Sequence, residues 1–408
     1  MTAGRVSVVV VSNGRPAELA LCLTSLSRQQ GVAFEIVVVA DAAGLSAASG
    51  LPFAEHLKCV AFDAPNISAA RNLGVGHAAG EVIAFIDDDA VAEPSWLKFL
   101  AGPFSNPSVA AATGFVRGAN GISFQRRGQQ LDAAGLTLPL DVDAGSVSIL
   151  PPPANGAIKT EGTNMCFSRS VLVELGGFDE AFHYYHDETD LDMRLARQGY
   201  LTAVVPMAQV HHKMAPNRCR GPGRVPRDLF DIGAGWAVFH RKHLPAECRP
   251  GCWTACRAAE IERLQAHSRE RRIGPRELDG LVQRLDAGHA EGTSRPSRTG
   301  SIAPVELSAF HAFPAPARRA RLLHGSIWSR RRLRRVAAIA AAGGCSVTVI
   351  ELSPTVLYHR VSFMPEGYWL QTGGLFGRST REDPLLSLYS HGGRVTRERD
   401  RVGVERML

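Results

Sequence analysis

The sequence predicts an α/β fold wound on both faces of a central sheet. Three observations carry that prediction. β-branched runs alternate with helix-periodic segments over the first 90 residues, as strands joined by crossover helices require. The apolar run Val82–Ile86 ends in three successive carboxylates, Asp87, Asp88 and Asp89, and ligands of open parallel sheets bind just outside the carboxyl ends of the strands. The composition, 45% hydrophobic and 21% charged over 408 residues, is ordinary globular usage and enough for two or three domains.

The elements follow in order. Val6–Ser12 is a β-branched strand that runs into the turn sequence Asn13-Gly14-Arg15-Pro16. From Pro16 to Gln29, Leu19, Leu23 and Leu26 share one helical face. Glu35–Ala40 is a second strand closed by Asp41, and Cys59–Phe62 a short third. Ser68–Ala79 reads as a helix with Ser68 at its cap and Gly80 after its end. Further on, Pro151-Pro152-Pro153 marks a loop, Thr163–Phe167 and Leu201–Val205 are strands, and Asp187–Gln198 is a helix with Leu191 and Leu195 inward. On that helix Asp190 is expected to cap or orient it, and Asp192 to be a solvated surface charge.

His211–Arg227, rich in Gly, Pro and cations, is expected to be a mobile basic loop, and Asp228–Leu244 an amphipathic helix. Beyond it a helix is expected near Ala258–Arg271, linker over 290–320, a basic helix at Arg330–Ala342 and a strand at Ser346–Glu351. The domains expected are therefore 1–245, a helical and linker region 246–329, and a small α/β segment 330–408.

A net charge of +7 and a pI of about 9.1 suit anionic ligands or anionic lipid surfaces. No nucleic-acid motif accompanies the charge, so nucleic acid is set aside. No charged start with a long apolar stretch precedes the first strand, and no run approaches the ~18 apolar residues of a membrane span. A cytoplasmic protein is expected, with a peripheral position at the inner membrane face as its variant. Eight cysteines are too sparse for a disulfide scaffold. Cys22, Cys59 and Cys166 are expected in the core. Cys248, Cys252 and Cys256 are spaced by four, with Pro250 and Gly251 interrupting a helix there.

Three like charges at one strand tip repel each other. A divalent cation offsets that repulsion, because hard cations prefer carboxylate oxygens and are shared with diphosphates. The alternative for Asp87–Asp89 is a solvated acidic turn.

Residues 6–245 resemble a family 2 glycosyltransferase of the GT-A fold. The resemblance rests on blocks in order: Val8–Pro16, Val37–Asp41, Asn66–Gly74, Phe85–Asp89, Gly162–Met165, Gly176–Glu180 and Asp187–Leu191. It implies a doubly wound mixed sheet, a nucleotide-diphosphate sugar donor, a saccharide or lipid-linked acceptor, and Mg²⁺ or Mn²⁺. It implies nucleotide contacts from Ser12, Asn13, Arg15, Asp41, Asn66, Arg71, Asp87 and Asp88, and metal contacts from Asp89, His211 and His212. It places Glu188 where the family carries its base, with the two acids Asp187 and Glu188 swapped in type. Lys213, Arg218 and Arg220 would close over the diphosphate.

Three departures bear on the nucleotide. Ser12-Asn13 replaces an aromatic-containing pair, Ala42-Ala43 follows Asp41, and Ser68 stands where glycine is usual. Residues 330–408 resemble the opening of a family 4, GT-B glycosyltransferase, without its sugar-nucleotide half. Two rivals stand against an inverting transferase: a catalytically silent sugar-nucleotide-binding or scaffold module, and a nucleotidyltransferase.

Overall fold

The computed structural model describes residues 4–300, 302 and 309–408. Residues 1–3 of the expected first domain, and 301 and 303–308 of the expected linker, lie outside the described residues.

The strands are β1 (Val6–Ser12), β2 (Phe34–Ala40), β3 (Leu57–Ala61), β4 (Val82–Asp87), β5 (Ala90–Ala92), β6 (Val109–Arg117), β7 (Phe124–Arg126), β8 (Gln129–Leu131), β9 (Thr137–Pro139), β10 (Ser148–Leu150), β11 (Ala157–Ile158), β12 (Met165–Ser168), β13 (Leu201–His212), β14 (Ala320–Ser326), β15 (Ser346–Ser353), β16 (Arg360–Phe363) and β17 (Trp369–Gly374). The helices are α1 (Pro16–Leu26), α2 (Ala42–Ser49), α3 (Ile67–His77), α4 (Trp96–Ala101), α5 (Arg169–Glu174), α6 (Asp187–Arg197), α7 (Phe230–His243), α8 (Arg249–Arg269), α9 (Pro275–Gly292), α10 (Arg330–Ala342) and α11 (His391–Arg406).

The main sheet runs β10-β13-β6-β12-β4-β1-β2-β3. β4, β1, β2 and β3 are parallel, and β12 enters antiparallel between β4 and β6. The sheet is thus mixed and doubly wound, as expected. Both faces of β1 and β2 are covered: Val8, Val10 and Val38 pack with Leu19, Leu23 and Leu26, while Val9, Val37 and Val39 pack with Ala70 and Val75. This double burial explains the unbroken apolar runs Val8–Val11 and Ile36–Ala40, while the two buried polar residues nearby, Ser7 and Glu35, satisfy each other through a hydrogen bond of 2.6 Å from Ser7 Oγ. Where β6 passes β13, a Cβ on Gly114 would collide with the Ala208 carbonyl and the Asn164 amide, so the close approach requires glycine.

Beyond the main sheet, α7 and α9 pack together, and Leu264 of α8 joins Leu281 and Leu285 in one cluster. A second sheet, β14-β15-β17-β16, forms a C-terminal lobe whose first three strands are parallel.

Several expectations fail for identifiable reasons. The cap of α3 is Asn66, whose Oδ1 accepts from Ala69 N at 3.0 Å. Ser68 is buried and donates to the Phe182 carbonyl. Pro250 does not break α8, because it lies in the first turn, where no intrahelical N–H bond is needed. Cys59 is exposed, while Cys22 and Cys166 are buried. Asp192 is not a surface charge. It is buried and accepts from Thr160 N at 2.8 Å and Thr160 Oγ1 at 2.9 Å.

The described part of 290–320 does not behave as a linker. Phe313 stacks on Phe34 with centroids 5.3 Å apart, and His311 N donates to Glu35. The C-terminal lobe is also joined to the main domain: Val361 and Trp369 cluster with Val91 and Ile122, and Val361 N donates to the Asn120 carbonyl.

Candidate active site

β1 and β4 are parallel neighbours with Val11 opposite Asp87, so both strands end at one edge of the sheet. Their tips meet there. Ser12 Oγ donates to Asp88 Oδ2 at 2.7 Å. Arg15, held at the start of α1 by Pro16, reaches both Asp88 and Asp89, the latter at 3.1 Å. The repulsion among the aspartates is therefore partly met by the protein's own guanidinium groups. Burial still pushes the Asp88 carboxyl up to about 7, with Asp89 adding to the effect and Arg15 opposing it. Asp89 is held well below the ordinary range, against the effect of burial, by His212, Arg15 and Arg220.

Asp89 has two distinct oxygens. Oδ2 accepts from Ala215 N at 2.7 Å, Arg15 Nη1 at 3.1 Å and Arg220 Nη2 at 3.2 Å. Oδ1 lies 3.1 Å from His212 Nε2, both atoms are buried, and among the described residues neither has a hydrogen-bond partner beyond this contact. Asp87, Asp89 and His212 each offer a ligand atom, all within 4.8 Å of one another. Two carboxylates and an imidazole, with buried lone pairs left unused, fit a divalent cation.

His211 does not join that cluster. Successive residues on a strand face opposite ways, and His211 Nε2 meets Glu93 Oε1 at 2.8 Å on the other side. Burial draws its ring down to about 4, against the pull of Glu93.

The basic loop after β13 is anchored to this centre rather than detached from it. Ala215 N and Arg220 hold Asp89, and Arg218 binds Asp231 at 2.8 Å. A cleft of about 130 Å³ lies beside the aspartates, lined by Ser12, Asn13, Arg15, Asn66 and Asp87. Phe62 and Tyr184 also line it, so aromatic surface is present although the β1 loop has none. Asp41 does not line this cleft. Its Oδ1 accepts from Gly44 N at the start of α2, and its Oδ2 accepts from Gly14 N at 2.7 Å, which fixes the β1 loop.

Arg71 is nearly fully buried on α3. It binds Asp187, approaches Asp87 Oδ1 at 3.4 Å and donates to the Gly162 carbonyl at 3.1 Å. It therefore joins the aspartate tip to the start of α6 and presents no free guanidinium to a ligand. There Asp187 is pushed up to about 7 by burial, despite Arg71. Glu188 is drawn down to about 2, against burial, by Lys159, whose Nζ lies 3.0 Å away. Within this pair burial favours the protonated form of Asp187, and Lys159 favours the ionised form of Glu188. Tyr185 and His186, just before the acids, are both left-handed non-glycine residues, with φ of 75° and 69°. Such strain concentrates at functional sites.

Sequence reasoning missed Lys159 and Glu161. Glu161 has one carboxylate oxygen buried without a partner, and burial raises its carboxyl. Its only signal was adjacency to the Gly162–Met165 block.

Residues 7–163 match the family described as Glycosyl transferase family 2. Over 150 residues the chain is 31% identical to the pre-mycofactocin glycosyltransferase of Mycobacterium tuberculosis, covering 36% of this chain and 29% of that protein. It is 28% identical over 155 residues to the glucosyl-dolichyl phosphate glucuronosyltransferase of Haloferax volcanii, covering 36% and 48%. The chain thus spans less than half the length of either relative. Among solved structures it resembles the mannosyltransferase PcManGT of Pyrobaculum calidifontis in complex with GDP-Man and Mn²⁺, at a TM-score of 0.41 and 16% identity, covering 71% of this chain and 87% of that one. Among the described residues no helix is long and apolar enough to cross a membrane.

Proposed function

We propose that this chain transfers a sugar, with inversion, from a nucleoside-diphosphate donor to a hydroxyl acceptor. One observation carries the reading: Arg71 touches both Asp87 and Asp187. It thereby fixes the distance between the donor-side aspartates and the acid pair.

The nucleoside would occupy the cleft between Asn13 and Tyr184, with Ser12, Asn66 and Asp87 at its polar rim. Asp87, Asp89 and His212 would hold Mg²⁺ or Mn²⁺, and the imidazole nitrogen favours Mn²⁺. An ion bound there supplies positive charge beside the departing diphosphate. Arg15 and Arg220, now on Asp88 and Asp89, are placed to transfer some of their hydrogen bonds to diphosphate oxygens. Glu188 takes the acceptor's hydroxyl proton as the anomeric carbon is attacked. Lys159 keeps it ionised, and Asp187 donates a hydrogen bond to it.

A second reading makes Asp187 the base, because a carboxyl near 7 matches working pH better than one near 2. The smaller exposure of Asp187, 3% against 15% for Glu188, favours Glu188.

Peripheral contact with anionic membrane belongs to the same reading. Arg330, Arg331, Arg332 and Arg335 are exposed on α10 beside Trp328, which is 76% exposed. Clustered cations gain about 1 kcal/mol each at an anionic surface. Co-sedimentation with anionic and neutral vesicles tests it, and equal binding to both would remove it.

The activity is tested by thermal stabilisation against UDP, GDP, dTDP and CDP with Mn²⁺, followed by donor-sugar hydrolysis. Nucleotide binding without hydrolysis or transfer would favour the silent module. Release of pyrophosphate from a nucleoside triphosphate would favour the nucleotidyltransferase.

A further inference from the structure

A second cleft, of about 330 Å³, opens between the β6–β7 turn and the C-terminal lobe. Arg117, Arg126 and Arg127 line it from the main domain, and Arg381 and Arg401 line it from the lobe. Glu382 is the one carboxylate among the lining residues. Arg117 and Arg127 both lie over the Phe124 ring, 4.4 Å and 5.0 Å from its centroid.

The cationic excess is real after existing partners are subtracted. Arg401 is paired with Glu398 at 3.0 Å, and Arg126 approaches Glu161 at 3.7 Å. Buried Arg117 bonds only to neutral oxygens, Gln209 Oε1 at 2.7 Å and the Ile122 carbonyl at 2.6 Å. Arg127 and Arg381 are exposed, and neither donates a guanidinium hydrogen bond to any described residue. Burial and the neighbouring Arg401 draw Arg117 down to about 10, as expected where positive charge is crowded.

Planar guanidinium groups converging on one space match the oxygens of a phosphate or diphosphate. A polar anion alone would not account for the chain that follows Arg381. The segment continuing from Arg381 exposes Leu385, Leu386 and Leu388, at 68%, 56% and 84%. Exposed apolar residues within seven positions of a lining arginine are what a lipid-borne phosphate would use.

We propose that this cleft binds the phosphate or diphosphate group of a lipid-linked ligand. Its position points to the acceptor. Arg126 reaches Glu161, which shares its electrostatic surroundings with Lys159, Glu188 and His212. Arg117 pairs in register with His211, next to His212. The nucleotide cleft lies at Ser12 and Asn66 instead. Assigning the ligand as the acceptor rests on the glycosyltransferase reading, whereas the anion site itself does not.

The test is calorimetry on the full chain in EDTA, with inorganic pyrophosphate and farnesyl diphosphate as probes, comparing wild type with Arg127→Gln/Arg381→Gln. Neither side chain holds the fold together, so the thermal midpoint should not move. Wild type should bind both probes, farnesyl diphosphate at least tenfold more tightly, and the double variant should lose tenfold or more for each. UDP binding with Mn²⁺ should be the same in both proteins. Equal probe binding by wild type and variant, or no pyrophosphate binding by wild type, overturns the site. Equal affinity of wild type for the two probes overturns its lipid-linked character. If neither protein binds UDP but the arginine-dependent loss persists, the transferase reading fails and the anion site stands.

Discussion

Arg406 and Glu93 form a bidentate ion pair, with Nε and Nη2 each 3.0 Å from a carboxylate oxygen, and both side chains are almost wholly buried. The indole of Trp369 lies 4.4 Å from the Arg406 guanidinium, and His211 shares Glu93. Glu93 is thereby held well below its ordinary range despite burial. One end of α11 is thus locked behind β5, which follows Asp89, and β13, which ends at His212. Breaking a buried pair by removing one partner typically costs about 3–5 kcal/mol. Arg406→Met should lower the denaturant midpoint accordingly, and Glu93→Gln/Arg406→Met should cost less than the two single changes summed.

The same lobe covers apolar surface of the main domain. A chain cut near Glu247 would expose Val91 and Ile122, which Val361 and Trp369 now cover. It should be aggregation-prone or inactive. A soluble truncated protein with full donor hydrolysis would show that the lobe is dispensable after all.

Asp89→Asn should lower turnover by on the order of a hundredfold or more, the scale of losing a principal electrostatic stabiliser. EDTA should abolish wild-type activity, and Mn²⁺ should restore it. The free-Mn²⁺ paramagnetic signal, titrated with protein, should fall for wild type and not for the variant. Full activity in EDTA would rule out a metal role.

Glu188→Gln should keep donor binding and lose transfer by roughly 10²–10⁴-fold, the contribution of a general base. Asp187→Asn should be milder, because burial already favours the neutral form of Asp187. The reverse order in measured kcat would make Asp187 the base.

Asp190 is buried against Lys242 at 2.6 Å, Arg194 at 2.8 Å and His243 at 2.8 Å. It orients α6, but as an ionic anchor rather than a cap. Asp190→Asn should cost about 3–5 kcal/mol by leaving those cations uncompensated. Asp190 and Asp179 are both held below the ordinary aspartate value of 3.8. A depressed carboxyl contributes stability that is complete above its unfolded value and lost as pH falls through the folded one. Stability should therefore be flat from neutrality to about pH 4 on their account, then decline, and the Asp190→Asn protein should decline less steeply. Parallel pH profiles of the two proteins would contradict this.

The main sheet was legible because β1, β2 and β4 are continuous apolar runs, which only a doubly covered strand tolerates. Asp87, Asp89 and Glu188 were legible because acids end strands or open helices within recognisable blocks. Arg71 was legible as a position and not as a partner, since its carboxylates lie 16 and 116 residues away. His211 and His212 look alike in sequence; pleating alone separates them, and only the strand's position shows which face meets the aspartates. The second cleft was not legible at all, because its arginines come from two distant segments whose docking no periodicity reports. Asp192 misled for a related reason: Thr160, which buries it, belongs to a loop with no pattern of its own.

The contact between Arg406 and Glu93 spans 313 positions of sequence. Closing so long a loop carries an entropic cost before any contact rewards it, and such non-local pairings slow folding. On the ribosome, the aspartate-bearing strands emerge long before the residue that braces them. The wall behind Asp89 cannot be completed until position 406 has been translated, so until then the nascent domain offers Glu93 only the His211 ring and no guanidinium.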